Sequence, residues 1–282
     1  MPRQRVRKGW RKWVNTVNVS GVVIAVLTAL PLYWLVTTSL KPASEIGQSP
    51  PTVWPQSFTF DNFVVAFRDN ALGQYMVNSV IVSVSTTVIV LALAFLAGYA
   101  LAGRFIRGRT AIMTSLLMLS VFPAIAVLTP LYLLERNLGL LNSYPGLIVP
   151  YVAFNLPFAI WIMRNYLQGI PSTIEEASEI DGAGAWRTVL SVILPMAKPG
   201  LFTVGVFTFT ASWSEFLMAL TFNSENSFRT IPVGIALFGT QFTVPFAQIF
   251  AASVAATVPI VILVLVFRRS IVSGLTSGAV KG

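Results

Sequence analysis

Long stretches without a single charged residue constrain this chain more than any other feature. Residues 13–40, 70–103, 110–134, 137–163, 199–214 and 230–267 hold no Asp, Glu, Lys or Arg, giving runs of 28, 34, 25, 27, 16 and 38 residues. About 20 predominantly apolar residues in an α-helix cross the ~30 Å hydrocarbon layer of a bilayer. A soluble domain carries about 25% charged residues, whereas this chain of 282 residues carries 10%, against 55% hydrophobic. The expected fold class is all-α: a polytopic membrane protein with six transmembrane helices.

The chain has no Cys and no His. Thiol nucleophiles, disulfides, Cys/His zinc sites and His general bases are therefore excluded, and no metal site or enzyme chemistry is expected. A net charge of +9 could point to nucleic acid, but its placement argues otherwise. Arg3, Arg5, Arg7, Lys8, Arg11 and Lys12 directly precede the first apolar run, where a topogenic basic flank belongs. Trp10 and Trp13, set among these bases, read as a surface anchor to anionic lipid. The apolar run that follows is too long for a signal-peptide core, so a retained helix is expected.

The predicted spans are 17–40, 77–101, 111–134, 147–163, 200–220 and 247–267. A Pro-rich outer loop at 41–69 (Pro50, Pro51, Pro55) separates the first two, and 231–239 could be partly inserted. With both termini on one side, the flanks on that side hold 15 Lys and Arg and the other side holds four, namely Lys41, Arg68, Arg136 and Arg229. The positive-inside bias places both termini, the Arg104–Arg109 turn and the 164–198 segment in the cytoplasm. Pro31, Gly98, Pro123, Pro130, Pro157, Gly205 and Pro259 lie within spans, either as ordinary kinks or where a cavity accepts the freed backbone groups.

The 164–198 segment is the one long, acid-containing cytoplasmic loop. Ser172-Thr173-Ile174-Glu175 fits a capping box and predicts a short helix over about 173–181. Gly182 and Gly184 allow the positive φ of a sharp turn. Trp186, Val189, Leu190, Ile193 and Leu194 then recur as one apolar helical stripe, with Arg187, Thr188 and Ser191 off it, until Pro195 and Pro199. Glu175, Glu176, Glu179 and Asp181 could form a solvated acidic loop. Together with the glycine turn and the apolar second helix they could equally form a docking element.

Glu176-Ala177-Ser178, Gly182 and Val192-Ile193-Leu194-Pro195 resemble the signature E-A-A-x3-G-x9-I-x-L-P of permease subunits of bacterial ABC importers. Ser178 replaces its second Ala and Val192 its Ile. Further segments, "FPAIAVLTPLY" in span three, "WSEF" at Trp213–Phe216 and "GLTSGAVKG" at Gly274–Gly282, are similar to the second permease of maltose/trehalose-type systems. The resemblance implies a type I importer permease fold in four parts: a basic N-terminal segment (1–16), a first helix with its outer loop (17–69), a transmembrane core (70–268) carrying a coupling helix within 172–198, and a cytoplasmic tail (269–282) reaching toward the ATPase dimer. It assigns Glu176, Ala177, Asp181, Gly182 and Ala183 to contact with that ATPase. The implied partners are a second homologous permease, an ATP-binding cassette ATPase dimer and an extracytoplasmic sugar-binding protein. No G-x4-G-K-[ST] loop occurs in the chain, so no cofactor is expected here and ATP and Mg would bind the partner ATPase.

For the cargo pathway, Trp213 and Glu215 could offer an aromatic face beside a carboxylate, or Trp213 could be an interfacial anchor and Glu215 a residue of the outer water layer. Asn155, Phe122 and Gln241 are further candidates. An importer for a polyol, glycerol phosphate or amino acid is the nearest alternative, although no span carries the Arg or Lys that a phosphate would want. A secondary transporter would show mid-span carboxylates and an internal repeat, and neither is apparent.

Overall fold

The structure, a computed structural model, describes residues 16–103, 106–239 and 244–276. Every regular element in that range is helical. The basic N-terminal flank, Trp10, Trp13, Arg104, Gln241 and the last six residues lie outside the described residues. Four helices are long and apolar enough to cross a bilayer: α1 (Thr16–Ser39), α4 (Leu72–Ala102), α7 (Pro145–Leu167) and α14 (Phe246–Thr276). Two bent pairs bring the possible number of spans to six. One is α5 (Arg109–Ser120) with α6 (Ala124–Asn137), bent by 87°; the other joins residues 185–196 to α11 (Lys198–Trp213), bent by 72°.

Two compact units emerge, one made of the residues up to Asn70 with Gly239–Ala255, the other of Ala71–Phe238 with Ala256–Gly282.

In the first unit, α1 exposes Val22, Ile24, Leu27 and Leu30 around its circumference, as a helix solvated by lipid does. Thr28 returns its hydroxyl to the Ile24 carbonyl at 2.9 Å, which removes a polar group from the hydrocarbon. The predicted Pro-rich loop is more ordered than its composition suggests. It contains two short helices, α2 (Ala43–Ile46) and α3 (Asp61–Arg68), and is organised around two buried charges, Lys41 and Glu45. Lys41 donates to the Thr52 carbonyl and sits 4.6 Å from the Trp34 ring centroid. Glu45 accepts from the Thr52 hydroxyl and the Gln56 amide. Asn62 closes the segment by donating to the carbonyls of Ser39 and Lys41 at 2.9 and 2.8 Å.

In the second unit, α4 packs along α7 and α11. Its buried residues, among them Asn78, Ser79, Val82, Ser83, Thr86, Val90, Ala94 and Gly98, step at three- and four-residue intervals, while Val80, Val84, Val88 and Leu96 face outward. Small and hydroxyl-bearing residues inside and large aliphatics outside is the pattern of helices that associate in lipid. At Gly98 a Cβ would stand 2.8 Å from the Cβ of Met163, so the α4–α7 crossing depends on the missing side chain.

Span three, predicted over 111–134 with Pro123 inside it, is interrupted. It breaks at Val121–Pro123, because Pro123 supplies no amide for a continuing ladder. Span five breaks after Trp213 and resumes as α12 (Leu217–Phe222), and α13 (Ile231–Ala236) buries Ile231, Val233 and Gly234. Asn78 ties this region together. It donates to the carbonyls of Ser227 and Arg229 at 2.9 and 2.8 Å and accepts from Gln74 and the Tyr144 hydroxyl.

Candidate functional site

The element that the signature marks is a short helix hung on a glycine turn. Helix α8 runs Ser172–Ile180. The capping box does not form: Pro171 occupies the N-cap with no side-chain cap bond, and Ser172 is already helical. The C-terminus follows the glycine argument. Gly182 has φ +78°, the Ala183 amide reaches the Ser178 carbonyl at 2.9 Å, and the Gly182 amide reaches that of Glu179 at 3.0 Å. This is a Schellman closure, with Gly182 in the left-handed position.

The second helix departs from expectation. A turn of α9 (Ala185–Arg187) leads into a π-turn over Thr188–Ile193, then α10 (Leu194–Met196). A π segment accommodates an extra residue in the ladder and shifts the faces, so the predicted stripe is split. Val189 and Ile193 are buried, whereas Trp186 is 70% and Leu190 53% exposed, and Thr188, placed off the stripe by the sequence, is buried.

The five assigned coupling residues lie together on this short element. Glu176, Ala177, Asp181 and Gly182 are exposed and Ala183 half-buried. Ile180, 87% exposed, and Trp186 extend the same outer surface, which the sequence reading missed. The spacing places Trp186 on the apolar stripe of the second helix and assigns Ile180 no role. Inward, Glu175 lies near Tyr99 at the end of α4, and Ser178 reaches Thr188 across the glycine turn at 2.8 Å. The element therefore presents acids and bare apolar groups outward while polar bonds hold it from behind.

The pathway candidates divide into three places. Asn155 lines a cavity of about 140 Å³ between α7 and α11, with Phe158, Phe207 and Thr208. Phe158 stands edge-on to Phe207, their centroids 6.0 Å apart. Glu215 neither stands free in an outer water layer nor holds its carboxylate open. It accepts the Tyr151 hydroxyl at 2.5 Å and the amides of Met218 and Ala219 at 2.9 and 3.1 Å, which caps α12 from the preceding turn. Asn155 converges on the same tyrosine, donating to the Tyr151 carbonyl at 2.7 Å. Trp213 does not stand open. It is buried, stacked on Phe209 at 5.4 Å, and donates its indole N–H to the Ala256 carbonyl at 3.1 Å. Phe122 is apart from all of these, exposed at the bend between α5 and α6. No group of three or more His, Cys, Asp or Glu able to hold a metal occurs among the described residues.

Comparison with known proteins places this arrangement. The chain superposes on a subunit of a bacterial ABC transporter that imports the acidic polysaccharide alginate, with a TM-score of 0.77, 22% identity and coverage of 92% of this chain and 96% of that one; this likeness speaks to the fold, an importer permease of type I. The chain is 38% identical to the trehalose transport system permease SugB of Mycobacterium tuberculosis over 90% of its own length and 92% of that protein's. It is 37% identical to the sulfoquinovosyl glycerol transport system permease SmoH of Agrobacterium fabrum (94% and 93% covered) and 36% identical to the trehalose/maltose transport system permease MalG of Thermococcus litoralis (94% and 95% covered). A family model for the binding-protein-dependent transport system inner membrane component matches residues 91–275, which takes in α7, the glycine-hinged α8 and the broken fifth span. The chain belongs to the family of binding-protein-dependent transport system inner membrane components.

Proposed function

We propose that this chain is a membrane-spanning subunit of an ATP-driven importer for a carbohydrate, a di- or oligosaccharide such as trehalose or maltose, and that α8 couples a partner ATPase to alternating access. The carrying observation is the two-sidedness of α8 and its C-cap: Glu176, Ile180 and Asp181 are exposed, while Ser178 is buried and hydrogen-bonded to Thr188 behind them. A lever needs both a free surface for its driver and a fixed surface toward what it moves. The carbohydrate class is supported by the relatives named for trehalose, maltose and sulfoquinovosyl glycerol.

In this reading both termini and α8 face the cytoplasm, which the distribution of 15 basic residues against four supports. ATP and Mg are held by an ATP-binding cassette ATPase dimer, since the chain has no phosphate-binding loop of its own. A second, homologous permease completes the pathway, and an extracytoplasmic sugar-binding protein delivers the cargo. Asn155, Phe158 and Phe207 offer that cargo an amide and aromatic faces at the middle of the α7–α11 contact, where an amide open only to lipid would be costly. Phe122 at the α5–α6 bend stays a candidate for the passage, whereas Glu215 and Trp213 hold the outer half of the broken span in place.

The test uses the natural absence of Cys. Ala183→Cys should cross-link to the ATPase in membranes, and Ser57→Cys should react with an impermeant thiol reagent from outside. Glu176→Lys should leave the subunit in the membrane while sugar uptake collapses. Labelling of Ser57→Cys only from the cytoplasmic side, or undiminished uptake in Glu176→Lys, would overturn the reading.

A further inference from the structure

Ser178 departs from the signature's alanine, and it is buried on the inner side of α8 with its hydroxyl 2.8 Å from that of Thr188, which is also buried. The direction of this bond follows from proton accounting. A serine hydroxyl has one proton, and that of Ser178 lies 2.8 Å from the Glu175 carbonyl. Thr188 is then the donor to Ser178, giving a relay from Thr188 through Ser178 to the backbone of α8.

What this relay spans is a weak place in the chain. Between Ser178 and Thr188 run the Schellman turn, Gly182 and Gly184, joined across the gap by single backbone bonds such as Thr188 N–H to the Gly184 carbonyl at 3.0 Å. Thr188 also opens the π-turn whose Val189 and Ile193 are packed with Phe95, Met163 and Val204 in the cytoplasmic-end core. An alanine at 178 could not accept the bond.

We propose that Ser178 and Thr188 are positioning residues: their buried hydroxyl pair braces the glycine turn, so that α8 and the π-turn move as one body and displacement of α8 reaches the packed core instead of being absorbed at Gly182. This rests on the reading that α8 is the handle for an ATPase, but the brace is a property of this chain that can be measured separately.

The experiment places nitroxide labels at Glu179→Cys and Ser191→Cys, both exposed, in the assembled complex. The inter-label distance distribution is recorded by pulsed electron paramagnetic resonance with and without MgATP. The parent pair should give one narrow distribution in both conditions. Thr188→Val, which keeps shape and removes only the donor, should broaden it in both conditions, at least twofold when MgATP is added, with the ATPase still co-purifying. Thr188→Ser should restore the narrow distribution. Equal widths for Thr188→Val and the parent, or a Thr188→Ser variant as broad as Thr188→Val, would overturn the brace. Failure of the ATPase to co-purify with the parent chain would instead overturn the docking reading, and the widths without nucleotide would still report on the brace.

Discussion

The hydroxyl of Tyr151 on α7 and the Glu215 carboxylate are 2.5 Å apart, and that same carboxylate takes up the amides of Met218 and Ala219 in the first turn of α12. A span broken at membrane depth frees backbone groups that lipid cannot satisfy. Glu215 satisfies two of them, and Tyr151, itself buried, fixes the carboxylate to a neighbouring helix. The part of span five beyond its break is therefore held by a side chain rather than by a continuous ladder.

Removing that side chain should be costly. Glu215→Ala leaves two amides and a buried phenol without partners, a loss of about 2–3 kcal/mol. Glu215→Gln keeps an acceptor and should lose about half as much. Thermal unfolding of the purified protein in detergent, followed by size-exclusion fluorescence, should rank parent above Gln above Ala.

At Gly182 the constraint is backbone angle rather than space. Its φ is +78° and no atom would lie within 4 Å of an added Cβ. Gly182→Asn, tolerated in the left-handed region, should retain most uptake, whereas a β-branched Gly182→Val adds about 1–2 kcal/mol of strain and should depress uptake severalfold. Equal uptake in the two variants would remove the left-handed turn from the account.

Gly98 poses the opposite problem. Its φ is ordinary, but an added methyl would meet Met163 Cβ at 2.8 Å and the Arg164 amide nitrogen at 3.1 Å. Gly98→Ala should cost about 1–3 kcal/mol by forcing α4 and α7 apart. Gly21→Ala, where nothing lies within 4 Å, should be neutral in the same unfolding assay.

In the segment after α1, the hydrogen bond from the Thr52 hydroxyl holds the Glu45 carboxyl below its reference value of 4.5, with the Gln56 amide and the Lys41 charge acting the same way against burial. The folded state therefore binds this proton less readily than the unfolded state, so stability rises with pH. The contribution is complete above 4.5 and is lost as pH falls through the lower folded-state value. Acid titration of Trp54 fluorescence should show the loss in the parent and a flattened curve in Glu45→Gln.

Several features were legible in the residues because they are local. Charge-free runs report solvation by lipid whatever the packing, so each predicted span falls on a helix or a bent helix pair apolar enough to cross. Gly182 reports a backbone angle, so the end of α8 was found too. Other features depend on partners distant in sequence. Lys41 and Glu45 look like loop charges until Thr52, Gln56 and Trp34 surround them. Trp186 and Thr188 exchanged their expected exposures because a π-turn, set by packing of Val189 and Ile193 against α4, α7 and α11, rotated the faces. Trp213 looked like a pathway or interfacial residue until Phe209 and the Ala256 carbonyl closed around it.

Sequence alone determined that the chain is a multi-pass membrane protein, which segments are apolar enough to cross, and where the glycine-hinged signature helix falls, since each follows from transfer free energy or from φ at a single residue. Only the tertiary structure decided where spans break, that Glu215 caps instead of standing open, and that Ser178 is joined to Thr188. In a helix surrounded by lipid the outward face is as apolar as the core, so periodicity cannot tell inside from outside; the geometry of neighbouring helices makes that choice.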